Sequence, residues 1–253
     1  MAVVLAGGLL AASACGSGGS PAASASGTPT GTVTVLAAAS LTGAFTTIGD
    51  RFEATHPGTT VTFSFSGSSQ LAQQIVAGAP ADVFAAASPA TMKTVTDAGG
   101  AVAAPVVFVR NQLVIAVPKG DPKGLRTLAD LARPGVKVAL CAEQVPCGAA
   151  ARKALDAAGV RLTPVTLEQD VKAALSKLRL GEVDAALVYR TDARAAAADV
   201  DGVEFGESAG AVNDYPIVAL AGAPNPAGAA AFLAFVQSPE ARTVLLDAGF
   251  QQP

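Results

Sequence analysis

Apolar positions along this chain follow two rhythms, a run or alternation of about five residues and a three-to-four spacing over about ten. Val33–Leu36 is a short apolar run, followed by Ala37, Ala38, Ala39 and Ser40. From Ser40 or Leu41, the spacing of Leu41, Ala44, Phe45, Ile48 and Phe52 predicts a helix to about Thr55, ended by the turn His56-Pro57-Gly58. His56 reads as an exposed turn residue. Val61, Phe63 and Phe65 alternate with Thr and Ser as a strand, and Ser66-Gly67-Ser68-Ser69 leads into a helix over Gln70–Ala77. Ala81–Ala86 reads as a third strand, with Ser88-Pro89 opening a helix over Ala90–Asp97.

The pattern then repeats without repeating the sequence. Ala104–Val109 is apolar and Asn111–Pro118 a strand; Leu128–Leu131 is a short helical piece and Val136–Leu140 a strand. A helix follows over about Ala149–Ala158, then extended Leu162–Leu167, a helix over Val171–Arg179 and a strand over Ala185–Tyr189. Val203–Phe205 and Pro216–Ala221 are extended, and Pro226–Val236 and Pro239–Asp247 are helices. Strands alternating with helices predict doubly wound α/β sheets, with ligands beyond the carboxyl ends of the strands. Two such passes predict two α/β lobes around a cleft. One lobe is residues 32–110 plus 216–253, the other residues 111–215.

The amino terminus lies outside this pattern. Met1–Ala14 is apolar and small, ends at Cys15, and is followed by Gly, Ser, Ala, Thr and Pro through Gly31. Residues 1–31 therefore read as a lipoprotein signal with Cys15 as the lipid attachment point and a polar tether behind it. The other reading is an ordinary cleaved secretion signal. No Lys or Arg precedes the apolar run, which leaves open whether the start is complete. An exported chain with Cys141 and Cys147 six residues apart predicts a disulfide. Metal binding fits poorly, since the single histidine is remote, and the spacing is not that of a C-x-x-C redox pair.

Composition narrows the function. The chain is 51% hydrophobic and 15% charged with a net charge of −3. It contains no basic run, so nucleic acid is not a predicted partner. The mean hydropathy of +0.44 reflects alanine, and no later stretch approaches the length of a spanning helix. The sequence has no phosphate-binding loop and no Ser/His pairing, so nothing supports catalysis. What stands out is Ser40 and Ser68, each between a strand and a helix. Each can be a plain helix cap or, at the positive end of the helix, a donor to an anion. Hydroxyls and amides can hold a dianion without a cation and still release it.

The segments AAASLTGAF (Ala37–Phe45), SGSSQLAQQIVAGAPADVF (Ser66–Phe84), EQVPCG (Glu143–Gly148), EQDVKAAL (Glu168–Leu175) and LVYRTDA (Leu187–Ala193) resemble the molybdate-binding proteins of bacterial molybdate importers. The resemblance runs in order from residue 33 to 253. It implies a two-lobed fold of the type II periplasmic-binding-protein kind. It implies capture of molybdate or tungstate in the cleft and delivery to an ABC permease with its ATPase, by a monomer on the outer face of the plasma membrane, with no cofactor and no enzymatic activity. Sulfate or another tetrahedral oxyanion is the alternative cargo. Residue by residue, it implies hydroxyl and amide donors at Ser40 and Ser68, a main-chain donor at Val171 and a hydroxyl at Tyr189. Cys147 falls where the family often has alanine, again as a main-chain donor, and the cysteine pair then acts as a staple for that loop. Ser69 is the alternative to Ser68 if the junction is shifted by one.

Overall fold

The computed structural model describes Ala2 and residues 29–253, so the expected signal and lipid site at Cys15 lie outside the described residues. The strands are β1 (Gly31–Ala38), β2 (Thr59–Ser66), β3 (Val83–Ala85), β4 (Val106–Asn111), β5 (Leu113–Pro118), β6 (Val138–Cys141), β7 (Thr166–Glu168), β8 (Ala185–Tyr189), β9 (Val200–Val203) and β10 (Asn213–Ala219). The helices are α1 (Thr42–Thr55), α2 (Ser68–Val76), α3 (Pro89–Asp97), α4 (Leu128–Leu131), α5 (Pro146–Ala157), α6 (Val171–Arg179), α7 (Arg190–Ala195), α8 (Pro226–Val236) and α9 (Pro239–Asp247).

They form two five-stranded mixed sheets flanked by helices, ordered β2-β1-β3-β10-β4 and β7-β6-β8-β5-β9. In the first, β1 pairs in parallel with β2 and β3, and β10 returns antiparallel between β3 and β4. In the second, β6 is parallel to β7 and β8, while β5 runs antiparallel between β8 and β9. Each lobe of the molecule is built on one sheet. The chain crosses from the first sheet to the second at Gln112 and returns between β9 and β10.

The apolar rhythm explains the packing. The α1 residues Phe45, Ile48 and Phe52 are fully buried, and Phe45 and Phe52 meet Phe232 of α8 edge-on at 6.1 and 5.4 Å. Such pairs add to plain apolar burial. His56 is not a free turn residue: its ring stacks on Phe52 at 4.1 Å and its Nδ1 lies 2.9 Å from the Phe52 carbonyl.

Several element starts differ from expectation for physical reasons. The α5 helix begins at Pro146 rather than near Ala149, because proline is suited to the first helical position. The α2 helix begins at Ser68, with Gly67 as its cap residue. Strand β9 lies at Val200–Val203, not Val203–Phe205. The α7 helix was not expected, since RTDARA carries no apolar period. Among the described residues, no helix is long and apolar enough to cross a membrane.

Candidate functional site

Five strands end at one place. Ser40 follows β1, Ser68 follows β2, Cys147 follows β6, Val171 follows β7, and Tyr189 is the last residue of β8. All five line one cavity between the lobes, with about 20 Å³ open to the centre of a water-sized sphere. That is room for a small ion and far below the several hundred Å³ of a drug-sized pocket. Larger recesses exist, one of about 430 Å³ beside Ser69 and Gln144, but it does not gather these strand ends.

Three helix starts point at the cavity. Ser68 and Val171 are the first residues of α2 and α6, and Cys147 is the second residue of α5. First-turn amides have no partner inside their own helix, and together with the helix dipole they favour an anion. At α6 the division is visible. Asp170 Oδ1 accepts from the amides of Lys172 and Ala173, at 2.8 and 2.9 Å, which leaves the Val171 amide outside the cap. None of the residues lining the cavity is Lys, Arg or His, and Asp170 is the one charged residue among them.

The capping reading of Ser40 does not hold. Ser40 sits in a single 3-10 turn, Ala39–Leu41, that precedes α1, and neither that turn nor α1 has a side-chain cap. Its Oγ instead lies 2.8 Å from the hydroxyl of Tyr215 on β10. Ser68 Oγ accepts from the Ala87 amide at 3.0 Å, and the Tyr189 hydroxyl accepts from Asn213 Nδ2 at 2.7 Å. A hydroxyl has one proton to donate and two lone pairs to accept with. With Tyr215 donating to Ser40, all three hydroxyls have a lone pair occupied from behind and a proton left for the cavity. Burial first, and for Tyr215 then the neighbouring Tyr189, raises the pKa of both phenols well above the ordinary value. Both therefore remain protonated donors at any physiological pH.

Ser69, the alternative to Ser68, is engaged elsewhere. Its Oγ donates to the Gln144 carbonyl at 2.7 Å, a bond from one lobe to the other. Asn213 adds a second crossing, to the Pro146 carbonyl at 3.2 Å. Between them, Gly67 lies so close to Gln169 that a Cβ there would overlap the Gln169 carbonyl oxygen. The lobes are thus in contact over the cavity. The Cys141–Cys147 disulfide is present, with Cα atoms 5.7 Å apart. It closes the loop that carries the Gln144 and Pro146 carbonyls and the Cys147 amide. Gly148 behind it has no space for a Cβ, which would overlap the Ala142 carbonyl oxygen.

Tyr215 and Asn213 were missed by sequence reasoning. They are 175 residues from Ser40 and 24 from Tyr189 respectively, and only the return of β10 brings them to the site.

Comparison with known proteins fits this geometry. Residues 33–251 match the family described as bacterial extracellular solute-binding protein. The chain is 46% identical over 242 residues to the molybdate-binding protein ModA of Mycobacterium bovis, covering 95% of this chain and 92% of that protein. Among solved structures, it superposes on the periplasmic molybdate-binding protein of Azotobacter vinelandii with a TM-score of 0.76 at 22% identity, over 87% of this chain and 99% of that one. It superposes on the sulfate-binding protein SubI of Mycobacterium tuberculosis with a TM-score of 0.74 at 19% identity, over 87% and 86%.

Proposed function

Because the chain belongs to the family of bacterial extracellular solute-binding proteins, we propose that it captures molybdate, or its analogue tungstate, between its lobes and delivers the ion to an ABC importer. The observation that carries this reading is the convergence of five strand-end residues, Ser40, Ser68, Cys147, Val171 and Tyr189, on one small cavity. In this reading three hydroxyl protons and the amides of Ser40, Ser68, Cys147 and Val171 surround the ion. Several neutral dipoles share its charge, and exclusion of water strengthens each bond. The relative named above as a molybdate-binding protein, at 46% identity over nearly the whole chain, supports the choice of ion.

A cavity lined mainly by donors also favours a fully deprotonated anion. A singly protonated phosphate presents an O–H that needs an acceptor, and the one carboxylate at the cavity, Asp170, already has its Oδ1 engaged in capping α6. A fully deprotonated tetrahedral dianion meets no such mismatch. The protein works as two lobes, each around one sheet, joined at Gln112 and at residues 204–212. It acts as a monomer outside the plasma membrane, held there by lipid on Cys15, and hands its cargo to the permease and its ATPase.

The test is thermal unfolding with molybdate, tungstate, sulfate and phosphate added separately. Ligand at about a hundred times its Kd adds roughly 2.7 kcal/mol to stability. Molybdate and tungstate should raise the Tm, and phosphate should not. A protein stabilised only by sulfate would instead be a receptor for that ion. For the anchor, mass spectrometry of protein recovered from membranes should find a lipid adduct that Cys15→Ala abolishes.

A further inference from the structure

Behind the cavity lies a charged pair that the neutral donors do not use. Asp192 on α7 is wholly buried, and its Oδ1 is 2.8 Å from Lys172 Nζ, whose side chain is 36% exposed. Apart from that ion pair, neither Asp192 oxygen has a hydrogen-bond partner of good geometry among the described residues, though the Tyr189 backbone N–H lies near enough to favour its charged form. Burial outweighs the lysine and raises the pKa of this carboxyl. A buried pair so poorly supported stabilises a fold little, and apolar replacements often do as well. Lys172 is also misplaced for helix stability, since a cation in the first turn opposes the helix dipole. Two unfavourable placements joined in one contact point to a role other than bracing.

The position supplies that role. Lys172 follows Val171, whose amide faces the ion cavity, and Asp192 lies three residues beyond Tyr189. Lys172 also lines an adjoining cavity of about 260 Å³ that shares Ser40 with the ion cavity. The charge of Asp192 contributes, after burial, to holding the Tyr189 and Tyr215 hydroxyls protonated, so its field reaches the site. We propose that Asp192 tunes anion affinity by cancelling the charge of Lys172, so that the bound ion is held by neutral donors and can be given up to the importer. This rests on the anion-binding reading above. Without Asp192, the Lys172 ammonium would stand uncompensated at the start of α6 and hold the ion more tightly. Without Lys172, nothing would hold the buried Asp192 carboxyl in its charged form, and it would take up a proton.

The experiment is calorimetric titration of the full chain with molybdate at low and at moderate salt. It uses wild type, Asp192→Asn, Lys172→Met and the double variant. Asp192→Asn should bind about three- to fivefold more tightly at low salt, the scale of one partly exposed charge interaction, with the gain shrinking as salt screens it. Lys172→Met and the double variant should both bind close to wild type, because a buried Asp192 without its cation takes up a proton. Asp192→Asn binding more weakly than wild type, or equally at both salts, would make Asp192 a structural brace and overturn the proposal. Failure of the wild type itself to bind molybdate would defeat the reading of the site instead. Lys172→Met is the variant most at risk of misfolding, and Asp192→Asn alone decides the question because it keeps the shape of the side chain.

Discussion

Ser40 and Tyr215 allow the anion reading to be tested on a single hydrogen-bond relay. The two hydroxyls are 2.8 Å apart, Ser40 is 6% exposed and Tyr215 is inaccessible. If Tyr215 donates to Ser40 and Ser40 to the ion, Ser40→Ala removes a bond to a charged partner. Such bonds contribute about 1.5–3 kcal/mol, or about 12- to 150-fold in Kd. The same change takes from the buried Tyr215 hydroxyl its 2.8 Å partner while Asn111 and Tyr189 stay near it, lowering the stability of the empty protein by about 0.5–1.5 kcal/mol. Tyr215→Phe keeps the Ser40 proton but loses the group that orients it, a neutral bond of about 0.5–1.5 kcal/mol. Its affinity loss should therefore be roughly two- to tenfold. In the double variant both partners are gone, so much of the stability lost in Ser40→Ala should return, while the affinity stays that of Ser40→Ala alone. Calorimetric titration with molybdate and denaturant unfolding without it measure the two quantities separately. The relay is refuted if Ser40→Ala binds as wild type does, or if the two affinity losses add in the double variant.

Three further outcomes follow from the geometry. Replacing Cys141 and Cys147 together by serine keeps the Cys147 amide but frees the loop; closing a ring this short is worth about 2 kcal/mol by chain entropy, so denaturant unfolding should show that loss together with weaker molybdate binding. Gly148→Ala should destabilise by about 1–3 kcal/mol or more by overpacking, seen as a lowered denaturation midpoint with or without ligand. Glu204, hydrogen-bonded by Arg190, has its carboxyl pKa held below the usual value. Its stabilising contribution is present above its unfolded pKa of about 4.3 and is lost as pH falls through the lower folded one, so Glu204→Gln should flatten the acid limb of the stability curve, and an unchanged limb would remove Glu204 from that account.

Much of the first sheet was legible because its helices and strands keep clean apolar periods, as in Leu41, Phe45, Ile48 and Phe52. Ser40 and Ser68 were legible for the same reason, since a parallel βα unit puts the residue after the strand at the ligand side, whereas Cys147, Val171 and Tyr189 were reached only through the family resemblance. The role of Ser40 was harder, because a serine before a helix signals a cap, and only its long-range partner Tyr215 says otherwise. Ser68 and Ser69 are adjacent hydroxyls with no periodicity to separate them. The structure divides them by direction, one toward the cavity and one toward Gln144. Cys147 was read as a loop residue ahead of a helix starting near Ala149, whereas it is the second residue of α5, which opens at Pro146. Asn213, Asp192 and the α7 helix left no apolar pattern, since their partners are polar and come from other elements.

The contact between Gly67 and Gln169 has a consequence for which ions the cavity can tell apart. Main chain already meets main chain there, and atoms in close contact do not compress. The lobes cannot come nearer at that point, so the cavity has a smallest size. A bulkier anion would hold the lobes apart. An anion too small to reach every donor could not draw them closer, and some hydrogen bonds would stay long. Discrimination by size thus acts from below as well as from above.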